Sequence, residues 1–327
     1  MEKISAFKKI RNGEKVNILI VGDSIGVGYG ASDDSKAWPA LLKDHIEEKY
    51  GAEVMMTNVS LGGESAFAGF VRLLQIDKDI KYDLVFICFG HNDEETDFEI
   101  YYEALIRKIL TQYPLCSIIS IQEHSQKEYT NKMNSILKIA NYYRIPVVDT
   151  IQPFQEDLRG YDALVCDGTH PNDEGYEIFA RAVEEVVDSE ILNDPSPIQK
   201  KEKPKNIETQ YFEKAFWIRV NRFKKDGLKY SIEIEKPILG NGRKGFLSDG
   251  NGIVLFSDIV DYPGENILCV YSNGKQIANR NTKWTHYVSQ RHIKILGKNI
   301  SINQGILTVK FEDEKQAESF KGLGYIF

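Results

Sequence analysis

Short apolar runs alternate with longer amphipathic segments from residue 16 to residue 188, and this alternation strongly constrains the fold. The apolar runs, which we interpret as strands, are residues 16–21, 53–58, 84–89, 117–121 and 146–148. Several are apolar nearly throughout, which is typical of strands buried on both faces. Strand and helix alternating over this length predict a parallel sheet with helices on both faces. Residues 1–190 are therefore expected to form an α/β domain.

Amphipathic stripes predict helices between these strands. The stripes comprise Trp38, Leu41, Leu42 and Ile46; Phe98, Tyr102, Leu105, Ile106 and Ile109; Met133, Ile136, Leu137 and Ala140; and Ile178, Phe179, Ala182, Val183, Val186 and Val187. Pro39 suits the first turn of its helix, and the last stripe predicts a helix over residues 173–188. In folds of this kind the loops at the carboxyl ends of the strands build the functional site.

The character of the chain changes near residue 200. Residues 1–200 carry 20 Lys and Arg against 34 Asp and Glu, whereas residues 201–327 carry 21 against 14. Prolines and lysines in residues 191–207 oppose regular structure and predict a linker. Beyond it the apolar residues recur with period two, and Asn273-Gly274 is a strong hairpin signal. We expect residues 208–327 to form an all-β accessory domain, either a sandwich or a small barrel.

Loops on one edge of the predicted sheet carry the groups that acyl transfer needs. Ser24 follows the first strand in a Gly22-Asp23-Ser24 turn, which holds its hydroxyl on a rigid base. Serine is a weak nucleophile, so it needs a base and a group that orients the base. Asp167 and His170 lie three residues apart before the last helix. Together they can supply both functions.

The same edge offers hydrogen-bond donors for the oxyanion of an acyl-transfer transition state. The backbone N–H of Ser24 and that of a glycine in the loop 58–65 can point at one oxygen, because glycine permits close approach. Asn92, in the Gly-His-Asn-Asp loop of residues 90–93, offers a side-chain amide as a third donor. These residue types predict a hydrolytic site.

Taken together, these blocks resemble the SGNH or GDSL hydrolases. The resemblance covers residues 16–188 and rests on Gly-Asp-Ser at 22–24, a glycine within 58–65, Gly-His-Asn-Asp at 90–93 and Asp-x-x-His at 167–170. It implies a flavodoxin-like three-layer α/β/α catalytic domain. It also implies Ser24 as nucleophile, Asp167 and His170 completing a triad, and Gly63 and Asn92 in the oxyanion hole. No metal or organic cofactor is expected.

The resemblance implies a serine esterase that removes short acyl groups through an acyl-enzyme intermediate. The Gly-His-Asn-Asp block is similar to that of rhamnogalacturonan acetylesterases, and residues 22–32 are similar to bacterial carbohydrate deacetylases, so an O-acetylated carbohydrate is the expected substrate. Lipase, thioesterase or acyltransferase activity at the same site is an alternative, as is a catalytically silent carbohydrate-binding scaffold. Residues 205–327 match no family, and we expect them to bind carbohydrate or to cover the active edge.

Composition argues against several other classes of function. The net charge is −7 and no nucleic-acid motif is present, so a nucleic-acid partner is not expected. No apolar run approaches the ~20 residues that span a bilayer, and residues 1–15 lack the apolar stretch of a signal peptide. A cytoplasmic location without membrane contact is the default expectation. The glycines of residues 22–30 do not form the GxGxxG of a dinucleotide site, and the oligomeric state is not indicated.

Other polar residues near these loops are expected to have supporting roles. We expect Asp23 and Asp93 to cap helices or hold loops, and Glu64 to be solvated. His91 either touches substrate or packs. Cys166 is an alternative nucleophile that we disfavour, because nothing around it depresses its pKa.

Four further histidines lie outside the motifs. His45 is expected to pack beside a helical stripe, and His124 ends the fourth strand, where it can line a pocket. His286 and His292 lack the spacing of metal ligands.

Overall fold

The structure is a computed structural model, and it describes residues 4–76, 79–123, 127–193, 198, 200–240, 242–244, 249–250 and 252–327. The chain forms two compact units, Met1–Ile207 and Glu208–Phe327. Each unit has its own hydrophobic core.

A five-stranded parallel sheet forms the centre of the first unit. Its strands are β1 (Val16–Gly22), β2 (Val54–Asn58), β3 (Leu84–Phe89), β4 (Ser117–Gln122) and β5 (Val147–Asp149). They lie in the order β2-β1-β3-β4-β5, with every neighbouring pair parallel. This is the flavodoxin-like order, which confirms the predicted fold class. The predicted strand ends agree with the observed ones to within one residue.

Helices connect and cover these strands. They are α1 (Ala6–Arg11), α2 (Ser24–Val27), α3 (Trp38–Tyr50), α4 (Ala66–Gln75), α5 (Glu95–Gln112), α6 (Asn131–Tyr143), α7 (Ile151–Glu156) and α8 (Asp173–Asn193). Helix α8 passes the predicted end at residue 188, because Ile191 is still buried in the core. Within the described residues, no helix combines the length and apolar character needed to cross a membrane.

The core of the first unit fixes the start of helix α2. Trp38 of α3 packs between Phe86 of β3 and Phe179 of α8, with ring centroids 5.7 Å from each. Its indole Nε1 donates a 2.8 Å hydrogen bond to the carbonyl oxygen of Ile25 in α2. A fully buried aromatic ring stabilises the fold by roughly 1.5–3 kcal/mol. The short helix that begins at Ser24 is thereby attached to a rigid core.

The second unit is an antiparallel β-sandwich. Its elements are β6 (Ala215–Arg219), β7 (Lys224–Asp226), β8 (Lys229–Ile234), β9 (Arg243–Lys244), β10 (Asp249–Gly250), β11 (Ile253–Asp261), β12 (Gly264–Ser272), β13 (Lys275–Trp284), β14 (Gln290–Ile300), β15 (Gly305–Phe311), α9 (Glu314–Ser319) and β16 (Gly322–Ile326). One sheet has the order β14-β11-β16-β6 and the other β13-β12-β15-β8-β7, with β9 and β10 pairing separately. Apolar residues from both larger sheets form one cluster, which confirms the all-β prediction.

The predicted hairpin at Asn273-Gly274 joins β12 to β13. Both residues have positive φ, 50° and 80°, as a two-residue turn of the primed type requires. The strands on either side pair antiparallel from Ser272 with Lys275 outward.

Candidate active site

Ser24 stands at the point where β1 turns into α2. Asp23 precedes the helix as its N-cap, and its Oδ1 accepts a 3.0 Å hydrogen bond from the backbone N–H of Ile25. At Gly22 a Cβ atom would lie 2.7 Å from the carbonyl oxygen of Cys88 in β3. Only glycine therefore allows β1 and β3 to approach this closely immediately before Ser24.

Ser24, His170 and Asp167 form one continuous hydrogen-bonded chain. The Nε2 atom of His170 lies 2.9 Å from Ser24 Oγ, and its Nδ1 lies 2.6 Å from Asp167 Oδ2. The other carboxylate oxygen, Asp167 Oδ1, accepts backbone N–H groups from Thr169 at 3.0 Å and from His170 at 2.8 Å. Gly168, with φ of 81°, allows the tight turn between them. The imidazole ring is thus held from one side while it faces the serine hydroxyl with the other.

The surroundings of Asp167 keep it ionised. Partial burial raises its pKa, but the backbone and ring hydrogen bonds from His170 outweigh this effect and bring the pKa to about 2. A permanent carboxylate at this position fixes the tautomer of the histidine and stabilises an imidazolium when one forms.

The loop after β2 lies against the turn that carries Ser24. The backbone N–H of Leu61 donates a 3.1 Å bond to the carbonyl oxygen of Gly22. A Cβ atom at Gly62 would stand 3.8 Å from Ser24 Cβ, so this loop reaches the serine directly. Gly63 follows with φ of 75°, a conformation that favours glycine.

Asn92, in the loop after β3, is held beside the same turn. Its Nδ2 atom lies 3.0 Å from Asp23 Oδ2 and 3.3 Å from the carbonyl oxygen of Glu64. The structure therefore brings Ser24, Asp167 and His170 together, and it places the loops of Gly63 and Asn92 next to them.

The α/β unit is similar to a known family of proteins. Residues 20–178 match the model of the GDSL-like lipase/acylhydrolase family, and the match contains all four loops of the site. Residues 20–178 form a GDSL-family domain.

Relatives of the GDSL-family domain are ester hydrolases. The chain is 29% identical over 173 residues to thioesterase 1/protease 1/lysophospholipase L1 of Escherichia coli (strain K12), a match covering 50% of this chain and 79% of that protein. It is 38% identical over 76 residues to an arylesterase of Vibrio mimicus, covering 23% of this chain and 37% of that protein. The chain is accordingly a carboxylic ester hydrolase.

A solved structure shares the fold across both units. It is that of a two-domain esterase active on acetylated mannans, with a TM-score of 0.71 and 15% sequence identity. The likeness covers 97% of this chain and 93% of the other. At this identity the likeness concerns the fold alone, across both the α/β unit and the β unit.

Behind the GDSL-family site lies a layer of buried ionisable groups that the sequence analysis largely missed. Lys132 of α6 donates to the carbonyl oxygens of His91 at 3.1 Å and of Asp93 at 2.8 Å, the two residues that flank Asn92. Asp93 Oδ1 accepts the backbone N–H of Ala66 at the start of α4, at 2.9 Å, as its predicted loop-holding role requires.

Two carboxyl groups in this layer have raised pKa values. Burial, with a further contribution from the charge of Asp93, raises the pKa of Asp23 to about 7. Burial and the charges of Asp23 and Asp93 raise the pKa of Glu123 well above its ordinary value, although Lys132 opposes this effect. The neutral forms of these two acids are therefore favoured beneath the site.

The expectation that Glu64 is solvated was wrong. Its side chain is buried, and its backbone carbonyl lies against the Asn92 amide. Its loop position suggested exposure, but the loop folds inward onto the turn that carries Ser24.

Cys166 lacks the environment of a nucleophile. Burial and the neighbouring Asp167 raise the pKa of its thiol, which disfavours the thiolate. This agrees with the preference for Ser24.

The remaining histidines have other surroundings or lie outside the described residues. His45 contacts Asp188 at 3.0 Å and Glu184 at 3.5 Å between α3 and α8 rather than packing in an apolar stripe. His286 and His292 contact the ring of Trp284 in the second unit. His124 lies outside the described residues. Among the described residues, no group of three or more His, Cys, Asp or Glu is arranged to hold a metal ion.

Proposed function

We propose that this esterase removes short acyl groups, chiefly O-acetyl groups of a carbohydrate, with Ser24 as nucleophile. The observation that carries the proposal is the continuous chain from Ser24 Oγ through His170 to Asp167. Nucleophile, base and orienting group within hydrogen-bond reach are the signature of nucleophilic acyl transfer.

In the first half-reaction, Ser24 Oγ attacks the carbonyl carbon of the ester while His170 Nε2 takes the serine proton. The negative charge that develops on the carbonyl oxygen is stabilised by the backbone N–H groups of Ser24 and Gly63 and by the Asn92 amide. The charged oxygen is a stronger acceptor than the carbonyl of Glu64, whose contact with Asn92 is 3.3 Å long. His170 then donates its proton to the leaving alcohol, which leaves an acyl group on Ser24.

In the second half-reaction, His170 takes a proton from water, and the resulting hydroxide attacks the acyl carbon. When the intermediate collapses, the carboxylic acid leaves and Ser24 recovers its proton from His170. Asp167, ionised throughout, stabilises the imidazolium that forms in both halves.

Two observations support a carbohydrate acetate as the substrate. The Gly-His-Asn-Asp motif of residues 90–93 resembles that of rhamnogalacturonan acetylesterases. The two-domain esterase that shares the fold over 97% of this chain acts on acetylated mannans. A thioester substrate is a second candidate, favoured by the 29% identity to the thioesterase of Escherichia coli.

Labelling and substitution of Ser24 test the proposal. A fluorophosphonate should form an adduct on Ser24, detected by peptide mass spectrometry, and Ser24→Ala should lower turnover of acetyl esters by roughly 10⁴-fold or more. Ser35→Ala, at an exposed serine of the 3-10 helix Asp34–Lys36, is the matched control and should keep full activity. Full turnover by Ser24→Ala would refute the proposal.

A panel of acetylated glycans, acetyl esters of simple alcohols and acyl-CoA thioesters tests the substrate class. The proposal predicts the highest kcat/KM on an acetylated glycan. The highest kcat/KM on an acyl-CoA would instead favour the thioesterase.

A further inference from the structure

An aromatic ring stands exposed beside the catalytic serine. The side chain of Tyr29 is 56% exposed. Its ring centroid lies 5.9 Å from that of His170, tilted by 46°. The ring also contacts Gly62, where a Cβ atom would lie 3.1 Å from Tyr29 Cε2 and 3.8 Å from Ser24 Cβ. Tyr29 therefore borders both Ser24 and His170.

The backbone of Tyr29 is fixed by buried groups. Its N–H donates to the carbonyl oxygen of Ser24 at 3.0 Å, and its own carbonyl accepts the hydroxyl of the fully buried Tyr176 at 2.7 Å. The flanking residues Gly28 and Gly30 have φ of 97° and 98°. At Gly30 a Cβ atom would lie 2.4 Å from the carbonyl oxygen of Pro171. The fold thus orders this segment tightly and yet leaves the ring exposed at its end.

The orientation of the ester in the site determines which part of a substrate contacts the Tyr29 ring. His170 must protonate the leaving alcohol, so the alcohol lies on the His170 side of the ester carbon. The carbonyl oxygen lies on the other side, toward Gly63 and Asn92. Because Tyr29 flanks His170, its ring borders the alcohol rather than the acyl group.

We propose that the Tyr29 ring is a subsite for the alcohol moiety of the substrate, and that it takes alcohols carrying a ring with an apolar face, such as a pyranose. A flat aromatic surface buries the C–H face of such a ring, while its own hydroxyl stays in water. The inference rests on the proposed function, since it takes Ser24 and His170 as the reacting groups. It adds the residue that distinguishes a sugar ester from an ester of a small alcohol.

Two pairs of esters separate the alcohol side from the acyl side. Peracetylated methyl glucopyranoside and methyl acetate share the acyl group and differ in the alcohol; methyl acetate and methyl butyrate share the alcohol and differ in the acyl group. Tyr29→Ala should lower the ratio of kcat/KM for the sugar acetate over methyl acetate about tenfold. The ratio for methyl acetate over methyl butyrate should stay within about twofold of the wild-type ratio.

Two further variants complete the test. Tyr29→Phe should keep the wild-type ratios, because the ring face is retained. Tyr129→Ala removes another exposed tyrosine, whose hydroxyl contacts Asp149 at the end of β5, and should leave both ratios unchanged. An unchanged sugar ratio in Tyr29→Ala, or an equal loss on all three esters, would overturn the inference. Failure of the proposed role of Ser24 gives a different result, since wild-type protein would then form no fluorophosphonate adduct at Ser24 and Ser24→Ala would keep full turnover.

Discussion

At the scale of single residues, Asp23 connects Ser24, the proposed nucleophile, to Asn92, the proposed oxyanion donor. One carboxylate oxygen caps the helix that begins at Ser24, and the other accepts the side-chain amide of Asn92. Gly-Asp-Ser is therefore more than a turn that presents a serine. Its aspartate also holds the side chain of Asn92, which lies in the loop after β3.

The burial of Asp23 predicts a pH dependence of stability. Its folded pKa of about 7 lies above the ordinary value of 3.8, so between these pH values the folded protein holds a proton that the unfolded chain releases. The stabilisation from that proton is present below about pH 4 and is lost as the pH rises to about 7. Asp23→Asn cannot titrate. We therefore compare the free energy of unfolding of the wild type with that of the variant. The wild-type value minus the variant value should fall by on the order of a few kcal/mol as the pH rises from about 4 to about 7.

Chemical denaturation at pH 4, 5.5, 7 and 8 measures this difference. Asp33→Asn provides the control, because hydrogen bonds to Ser35 lower the pKa of this exposed aspartate. Its contribution to stability is lost only below its ordinary pKa of 3.8, so the corresponding difference should stay nearly constant from pH 4 to pH 8. A difference for Asp23→Asn that is independent of pH from 4 to 8 would contradict the prediction.

A residue of the site could be predicted from the sequence when local structure alone determines its position. Ser24 comes shortly after a recognisable strand, and His170 comes shortly before a recognisable helix. Local sequence and topology therefore suffice to place both residues at the same edge of the parallel sheet. The burial of Glu64 and the contacts of Lys132 depend on side chains far along the chain, and no local pattern encodes them. Tyr29 was overlooked for the same reason, since its contact with Gly62 forms only in the folded loops.

At the scale of elements, helix α6 braces the loop that carries Asn92. Lys132 donates to the carbonyl oxygens on both sides of Asn92, and Gly90 packs so closely that a Cβ atom there would lie 2.4 Å from the carbonyl oxygen of Glu123. The loop 90–93 is thus held by Asp23, by Lys132 of α6 and by Glu123, the residue that follows β4.

Removing this brace should reduce catalysis more than substrate binding. Lys132→Met leaves two buried carbonyl oxygens without their donor and releases the backbone around Asn92. We expect kcat to fall about tenfold while KM changes less than threefold, because the role proposed for Asn92 is to stabilise the transition state. Lys132→Arg, which keeps a charged donor, should recover part of kcat.

Lys138→Met is the matched control on the same helix. Lys138 is exposed and pairs with Glu99 at 2.6 Å, so its loss should leave kcat unchanged. The kinetics are measured at a temperature where thermal unfolding shows each variant to be folded. An unchanged kcat in Lys132→Met would show that Asn92 needs no support from α6.

Element boundaries were predictable where the sequence pattern is long enough to have a period. The five strands of the parallel sheet are continuous apolar runs with clear ends, and each was predicted to within one residue. Helices α1, α2 and α7 have six residues or fewer, too few to show a stripe, and were not predicted. Helix α4 has ten residues and was not predicted either, because its sequence is apolar nearly throughout and residues 66–73 are all buried.

At the scale of the whole molecule, composition located the change between two kinds of fold but did not show how the intervening segment is held. Residues 200–206 belong to the first compact unit. The fully buried carboxylate of Glu103 in α5 accepts the backbone N–H groups of Lys205 at 2.5 Å and Asn206 at 2.7 Å. Arg107 donates to the carbonyl oxygen of Lys201 at 2.9 Å. Prolines and lysines predicted a linker without regular structure, and they gave no indication that a buried acid far away in sequence anchors it.

This anchor should protect the segment from proteolysis. Trypsin cleaves after Lys200, Lys201 and Lys205 only when the chain there opens locally, and Glu103 opposes that opening by holding two backbone N–H groups. Glu103→Gln removes the charge and weakens these bonds, so initial cleavage at these lysines should be about tenfold faster than in wild type. Glu99→Gln on the same helix, which loses only the exposed pair with Lys138, should be cleaved at the wild-type rate. Mass spectrometry of the early fragments identifies the cleavage sites. Equal initial cleavage rates for Glu103→Gln and wild type would show that residues 200–206 open independently of α5.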